Sequence, residues 1–525
     1  MIMSAQLFVT NFTTGDWWIV AVYLLASVAV GIFANRFIHS ASAYMVGGGA
    51  AGTGLNVATY IGTGLGLVTL MYASIDGFSN GFAYVTLALI GFVVGITLGS
   101  TGLVIERLRE LNLMTIPEYF EKRFDRRTRV TGGIICAVAG ILNMGLFPKM
   151  GAIFITYVTG IAANTADHTL TVNLITSLLI LMVLVYTVMG GMVSVIITDY
   201  VQFVVLSIGM GLGLYFCFTH PDLGWSTMTE ALAVHRGERM FNPVAEGGYG
   251  WIWICFNFVV FLFAGFCWAP EASRALTARN PQVAKRTFFL AAPGQFARLG
   301  IPALWAIAAF TLASQSPELT AYFFPNGIEN DAVHAAQAMP LALGKIVPAG
   351  FLGLLVAGLM AAFMSTHDSY LLCWSSVIAR DIVAPLRREP MSDQQQIRVT
   401  RISIVCIGLF LMIWGIWYEL PDSVWTYMAV SGTIYLSGAG VVLLGGIYWD
   451  KGSSKGALAA LLAGLIAVVG LFLEPLNQAL SSILKTEVAL TGYQIGFFNY
   501  IFCALVFVGV SLAFPDEKKS KEEAA

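Results

Sequence analysis

Charge is scarce in this chain. Asp, Glu, Lys and Arg together make up 11% of its 525 residues, whereas hydrophobic residues make up 57%. This composition excludes one or two water-soluble domains, because so much apolar surface must be covered by lipid. Only six histidines occur, and the seven cysteines show neither a CxxC pair nor a Cys/His ligand spacing. A disulfide framework and a zinc site are therefore not expected.

Sequence patterns of enzymes are missing as well. The chain shows no clustered His/Glu motif, no nucleophile elbow and no phosphate-binding loop, so we expect neither an enzyme nor catalytic residues. The expected partners are the lipid bilayer and a small-molecule solute. Neither nucleic acid nor an obligate protein partner is expected.

Long apolar runs are present in their place. A helix that crosses a bilayer needs roughly 20 apolar residues, and about thirteen runs approach that length. They lie at 16–36, 52–76, 80–104, 129–160, 168–189, 193–218, 250–272, 286–314, 342–380, 398–418, 422–448, 456–474 and 492–514. The sequence therefore predicts an all-α polytopic membrane protein with a single transmembrane domain over 1–525.

The basic residues indicate the orientation. Most of the 28 Lys and Arg fall in loops on one side of the predicted spans, such as SRALTARNPQVAKR and RDIVAPLRREP. The positive-inside bias makes that side the cytoplasm, with the N-terminus outside and the C-terminus inside. No basic residue precedes the first run, so we expect it to remain as a span and not to be a cleaved signal. We expect a multi-pass protein of a bacterial inner (cell) membrane.

Two of the spans contain helix-weakening residues. The second has Gly62, Gly64 and Gly66 at its centre, and the seventh has Gly265 and Pro270. Such helices can be broken in mid-membrane where they face protein or a solvated cavity, although close helix packing explains glycines equally well. The two helices open two sets of five spans, at 52–218 and 250–448, which predicts an inverted-repeat transporter with its site at the midplane. The run 16–36 leads these repeats and 456–514 trails them.

Polar side chains collect on the ninth run. Ala362, Ser365, Thr366 and Ser369 share one helical face, which suits a weakly held monovalent cation, although hydroxyls also serve helix packing. Carboxylates within spans indicate functional sites, and these lie at Asp199 and Asp368.

Two basic residues fall inside spans, Lys149 and Arg298. Either could bind a solute carboxylate, or could pair with Asp199, Asp368 or Glu271. The other candidates for a solute pocket share a polar or aromatic side chain at mid-span. They are Tyr60, Thr63, Asn143, Asn257 and Trp268.

Four separate motifs resemble the sodium:solute symporter family over essentially the whole chain. YTVMGGMVSVIITDYVQ at 186–202 and GIYWDKGSSKGALAALLAG at 446–464 resemble two family signatures. LMTIPEYFEKRF at 113–124 and AAFMSTHDSYLLCWSSVIARDI at 361–382 are also similar to the family. The resemblance implies a LeuT-type five-plus-five inverted repeat with one leading and two trailing helices.

The resemblance also implies sodium-driven uptake by alternating access. One sodium ion would be held by the carbonyls of Ala58, Ile61 and Ala362 and by the hydroxyls of Ser365 and Thr366. Some family members bind a second sodium at positions that match Ser365, Asp199, Asp368 and Ser369. At 368 an aspartate replaces the family's hydroxyl residue, so this site could also bind a proton.

The solute is less well defined. Gly64 and Leu65 stand where sugar-carrying relatives have polar side chains, so a small organic acid or zwitterion is preferred over a sugar. Proton coupling and a solute-sensing membrane protein are the alternatives. The sensor is disfavoured because only a short tail follows Phe514.

Overall fold

The computed structural model describes residues 5–34, 40–46, 49–421, 423–486 and 488–516. Within these ranges the regular structure is helical, and the sole pairing of extended backbone is an isolated bridge between Ala51 and Ala278. Ten helices there are long and apolar enough to span a membrane, or eleven if one bent pair is counted. The chain is thus a multi-pass membrane protein, and the predicted number of thirteen spans is not confirmed.

The N-terminal half begins with the predicted leading helix. The helices up to the end of the predicted first repeat are α1 (Thr14–Ala34), α2 (Ala41–Val46), α3 (Thr53–Gly64), α4 (Leu67–Asn80), α5 (Val85–Thr101), α6 (Ile105–Glu110), α7 (Ile116–Arg123), α8 (Arg126–Met144), α9 (Phe147–Val158) and α10 (His168–Thr219).

The second half begins with a short helix, α11, that precedes the predicted second repeat. Its helices are α11 (Trp225–Arg236), α12 (Trp251–Cys267), α13 (Ala269–Thr277), α14 (Pro281–Gln315), α15 (Pro317–Phe323), α16 (Ala335–Ile346), α17 (Phe351–Val377), α18 (Ala384–Leu386), α19 (Asp393–Trp417) and α20 (Val424–Tyr448). The last three are α21 (Ser454–Gly464), α22 (Leu473–Leu484) and α23 (Gly492–Ala513).

Several predicted spans have different ends in the structure. The run 342–380 is divided, because Gly350 adopts φ +84° and α17 begins only after it. The run 129–160 corresponds to α8 and α9, which together form one candidate span, Arg126–Val158. The 52-residue α10 contains two predicted spans, which meet at Gly191 with φ +57°. A left-handed backbone suits glycine, and a Cβ there would also lie 2.5 Å from the ring of Tyr44.

Close packing of α10 on α17 positions the polar residues of both helices. A Cβ on Gly358 would lie 2.9 Å from the carbonyl oxygen of Val205, so the two backbones approach closely only because this residue is glycine. The contact places Asp199 of α10 opposite Ser365 of α17, where their side chains hydrogen-bond.

The leading helix is fixed to α17 by a buried carboxylate. Oδ1 of Asp16 accepts hydrogen bonds from the main-chain N–H of Gly350 (2.7 Å) and Gly353 (2.8 Å), at the first turn of α17. These N–H groups have no partner within their own helix. Asp16 therefore caps α17 and fixes α1 against the second half of the chain.

The cysteines do not all behave as core residues. Five of the seven are buried thiols, but Cys255 and Cys406 are exposed. Both lie on long apolar helices, α12 and α19.

Candidate functional site

Two helices are broken at the centre of the molecule, where the sequence has its glycine and proline clusters. The first break separates α3 from α4 at Leu65 (ψ +53°) and Gly66 (ψ +152°). The second separates α12 from α13 at Trp268, which has ψ +118°, and the helix axes there bend by 44°. Both breaks expose main-chain polar groups that continuous helices would have used internally.

The carbonyls at the end of α3 have identifiable partners. The carbonyl of Ile61 accepts from the N–H of Leu65 at 2.8 Å. The carbonyl of Thr63 accepts from Thr366 Oγ1 at 3.1 Å, and that of Gly64 from Thr69 Oγ1 at 3.2 Å. Each carbonyl oxygen has a second lone pair, and a helix C-terminus carries partial negative charge. The end of α3 can therefore attract a cation.

Gly66 allows α17 to approach this break. A Cβ at Gly66 would lie 2.3 Å from Oγ1 of Thr366 and 2.9 Å from its Cβ. At Gly62 a Cβ would lie 3.5 Å from Oγ of Ser365. The hydroxyls of Ser365 and Thr366 are both buried and lie beside the broken segment.

The donor groups suit a weakly held monovalent cation. Ser365 and Thr366 each donate their hydroxyl hydrogen to protein, to Oδ1 of Asp199 and to the carbonyl of Thr63. Their oxygen lone pairs are then left to accept or to coordinate. Neutral oxygens with one nearby carboxylate fit Na⁺ better than a tightly held divalent ion.

Asp199 has a partner that sequence reasoning missed. Nη2 of Arg274 lies 3.3 Å from Oδ2 of Asp199, and both side chains are fully buried. The same nitrogen donates to Ser369 Oγ at 2.9 Å and to Thr63 Oγ1. The run SRALTARNPQVAKR predicts a basic cytoplasmic loop that includes Arg274. This prediction is wrong for Arg274, because α13 carries its side chain into the protein interior.

A central cavity of about 70 Å³ lies between the two breaks, enough for a few water molecules in this conformation. Its walls combine aromatic, polar and aliphatic side chains. The aromatic residues are Tyr72, Phe147, Phe261, Trp268, Tyr370 and Trp425. The polar residues are Thr63, Thr69, Asn143, Glu271, Arg298 and Thr366.

An ion pair faces this cavity. Nη1 of Arg298 on α14 lies 3.2 Å from Oε1 of Glu271 on α13, and 2.9 Å from Oε1 of Gln295. The side chains of Arg298 and Glu271 are 10% and 15% exposed. The pair is therefore almost removed from water but still accessible from the cavity. The two charges cancel in sum, but the pair presents one positive group and one negative group to the cavity.

Four of the seven predicted solute residues line this cavity: Thr63, Asn143, Trp268 and Arg298. Asn143 is held by α20, because its Nδ2 donates to the carbonyl of Met428 (2.8 Å) and to Ser431 Oγ (3.0 Å). Trp268 is held by Tyr370, whose hydroxyl accepts from Trp268 Nε1 at 3.2 Å.

The other three predicted solute residues do not line it. Tyr60 is buried and packs its ring on Phe288, with 4.6 Å between the ring centres. Asn257 accepts from Nε1 of Trp425 at 2.9 Å. It therefore positions a wall residue of the cavity and does not form the wall itself.

Lys149, the third of these residues, lies elsewhere. Its Nζ donates to the carbonyl of Tyr418 at 2.7 Å, and it lines a different cavity together with Glu419 and His168. The candidate span Arg126–Val158 continues past Lys149, so the direction of the side chain takes the amine away from the central cavity. Lys149 is not among the residues that line the central cavity.

The two ends of the central cavity differ. On one side lies a cavity of about 860 Å³, which shares Trp425 with the central one and is lined by Asp76 and Trp253 among others. On the opposite side the start of α3 is joined to the end of α13, since the N–H of Ala51 bonds to Thr277 at 3.0 Å and the N–H of Arg279 to Ala51 at 2.9 Å. The site is closed on that side.

Two broken helices around a central cavity, within an all-helical membrane domain, define a LeuT-type transporter. A solved structure of a Na⁺-coupled sialic acid symporter, in a substrate-bound outward-open state, has the same fold with a TM-score of 0.75. Its sequence is 20% identical, and the match covers 97% of this chain and 100% of that one.

Residues 44–464 match the model of the sodium:solute symporter family, and the chain belongs to this family. It is therefore a transporter and not an enzyme, and Na⁺ is its coupling ion.

Individual relatives are distant. The sodium/sialic acid symporter SiaT of Proteus mirabilis is 26% identical over 467 residues, which cover 85% of this chain and 87% of the relative. The high affinity choline transporter 1 of Homo sapiens is 27% identical over 472 residues, which cover 81% and 76%.

Proposed function

We propose that this protein imports a small zwitterionic solute together with Na⁺ across the cell membrane. The observation that carries the proposal is the Arg298–Glu271 ion pair, 3.2 Å apart, facing an aromatic cavity between two helix breaks. A zwitterion can present its carboxylate to the arginine and its cationic group to the glutamate. Neither buried charge is then left without a partner.

The aromatic walls favour the cationic end of such a solute. Trp268, Tyr370 and Trp425 line the same cavity as Glu271, and aromatic rings attract ammonium groups, including quaternary ones. A sugar is neutral and would make no use of the two opposite charges at Arg298 and Glu271. A simple carboxylate would compete with Glu271 for Arg298.

The named relatives are compatible with such a site. They include carriers of sialic acid, which is an acid, and of choline, which is a quaternary ammonium ion. A paired cation and anion within aromatic walls could be adapted to either charge, and a zwitterion uses both.

Coupling follows from the shared position of the two ligands. We propose that the carbonyls of Ala58, Ile61 and Ala362 and the hydroxyls of Ser365 and Thr366 bind Na⁺. Thr366 also lines the solute cavity, so sodium binding and solute binding favour the same arrangement of the break. Each ligand then raises the affinity for the other by the same factor.

The direction of transport rests on the proposed orientation. The closed side at Ala51 and Ala278 lies near Arg109, which donates to the carbonyl of Ala278. Arg109 belongs to the basic loops that the positive-inside bias assigns to the cytoplasm. The 860 Å³ cavity then faces outward. In this scheme the N-terminus is outside, 52–218 and 250–448 form the two repeats, and the protein moves solute inward.

Thermal stabilisation of the purified protein in detergent tests the proposal. The panel contains betaine-like and amino-acid zwitterions, carboxylates, quaternary amines and sugars, each with Na⁺ and with N-methyl-D-glucamine as the replacement cation. Choline is unsuitable as the replacement, because a relative carries it. We expect zwitterions to raise the melting temperature only when Na⁺ is present.

A matched variant tests whether the solute binds at Glu271. Glu271→Gln keeps the shape of the side chain and removes its charge, so the response should shift from zwitterions toward carboxylates. Hits confined to sugars would contradict the solute class. Hits that do not depend on Na⁺ would support proton coupling or solute sensing instead.

A further inference from the structure

The positions that resemble a second sodium site are occupied by the side chain of an arginine. The guanidinium of Arg274 is fully buried. Its Nη2 lies 3.3 Å from Oδ2 of Asp199 and 2.9 Å from Oγ of Ser369, which are two of the predicted ligands. Two of the four predicted ligands thus already have a protein cation between them.

The carboxylate at the centre has protein partners on both of its oxygens. Oδ1 of Asp199 accepts from Ser365 Oγ at 2.5 Å, and Oδ2 accepts from Thr59 Oγ1 in addition to Arg274. Two hydroxyls and one guanidinium thus surround one carboxylate without exposure to water. The group needs no further cation to balance its charge.

The guanidinium is also held from its other side. Nη1 of Arg274 donates to Ser273 Oγ at 2.9 Å, and the main-chain carbonyl of Arg274 accepts from Asn56 Nδ2 at 2.8 Å. These bonds fix the side chain between α13 and α3. A sodium ion in contact with Asp199 and Ser369 would lie only about 4 Å from a permanent positive charge, and the two would repel each other strongly.

We infer that Arg274 is the built-in cation of this site, so that the chain binds a single sodium ion, at the position formed by Ala58, Ile61, Ala362, Ser365 and Thr366. The inference rests on the proposed sodium coupling and limits its stoichiometry to one. Ser365 connects the two positions, because it is a proposed sodium ligand and also donates to Asp199.

Counting bound sodium tests this inference without knowledge of the solute. Purified full-length protein in detergent is equilibrated with radioactive Na⁺, and the ionic strength is kept constant with N-methyl-D-glucamine chloride. The wild type should saturate at one ion per chain. Arg274→Met, which keeps the length of the side chain and removes its charge, should saturate at two.

Control variants separate charge from packing. Arg274→Lys retains a cation beside Asp199 and should remain at one ion. Arg274→Met combined with Ser369→Ala removes a ligand of the newly opened site and should return to one. Size-exclusion profiles establish that each variant is folded. If Arg274→Met does not fold, the inference still requires one ion per chain in both the wild type and Arg274→Lys. A count of two in either protein would overturn it.

The outcomes distinguish this inference from the proposed function. A wild-type count of two, falling to one in Thr366→Ala, would retain sodium coupling and overturn only the role of Arg274. A folded Arg274→Met that still binds one ion would overturn it as well. A wild-type count of zero would overturn both.

Discussion

Oγ1 of Thr366 donates a hydrogen bond to the main-chain carbonyl of Thr63 across the break between α3 and α4, at 3.1 Å. This bond joins the second half of the chain to the unwound segment of the first. The lone pairs of the hydroxyl oxygen remain available to a cation. Because Thr366 lines the central cavity too, it connects the ion with the solute.

Removal of this hydroxyl should weaken sodium binding without unfolding the protein. Thr366→Val keeps the shape of the side chain but provides no ligand oxygen and leaves the Thr63 carbonyl without its donor. We expect the sodium concentration for half-maximal thermal stabilisation to rise by about tenfold. Thr366→Ser retains the hydroxyl and is the control. Equal sodium dependence in the Val variant and the wild type would remove Thr366 from the sodium site.

Gly66 should tolerate no side chain. Its φ of −76° and ψ of +152° are accessible to alanine, so the expected effect of Gly66→Ala is steric and arises from a Cβ 2.3 Å from Thr366 Oγ1. We expect destabilisation by about 1–3 kcal/mol, as for overpacking in a core, together with loss of the sodium response. The measurements are melting temperature and sodium titration.

Gly54, in the first turn of α3, provides the control. At Gly54 a Cβ would have no neighbour within 4 Å, and alanine has a higher helix propensity than glycine. Gly54→Ala should therefore be neutral or slightly stabilising. Similar losses at Gly54 and Gly66 would show that glycine flexibility in this part of the chain matters, rather than the approach of Thr366.

The overall fold could be predicted from the sequence because its signals are local. Apolar run length indicates spans, and glycines or proline at mid-span indicated the breaks that the structure shows at Gly66 and Trp268. Short motifs then indicated the family, which the match over 44–464 confirms. The number of spans could not be predicted from run length alone, since a run such as 342–380 contains parts of two helices.

The residues that form the site were harder to predict, because their identity depends on the direction in which each side chain points from its helix. Arg274 lies in a basic run that is typical of a cytoplasmic loop, and only the bend at Trp268 turns it inward. Lys149 lies in a long apolar run, yet its amine reaches the carbonyl of Tyr418 and not the central cavity. Sequence position sets depth in the membrane approximately, but not the face of the helix.

Lys149 therefore provides a test of this reassignment. Lys149→Gln should leave the sodium-dependent stabilisation by the best ligand of the panel within about twofold of the wild type, since Lys149 lines a different cavity and substitutions far from a site usually act independently of it. Asn257→Leu is the comparison, because it removes the acceptor that holds Trp425 in the cavity wall. We expect weaker ligand binding in that variant. A large loss of binding in Lys149→Gln would return this residue to the solute site.

The Arg298–Glu271 pair makes the most demanding prediction. Arg298→Gln leaves Glu271 buried without its cation, and loss of one partner of a buried ion pair costs about 3–5 kcal/mol. The double variant with Glu271→Gln removes both charges and should recover much of that stability, which a double-mutant cycle of melting temperatures measures. It should nevertheless fail to respond to zwitterions with Na⁺, because both ends of the proposed solute lose their partners. If it is stable and still responds, the pair is structural and the solute must bind through other groups of the cavity. If each single variant is as stable as the wild type, the 3.2 Å contact does not represent a pair isolated from water.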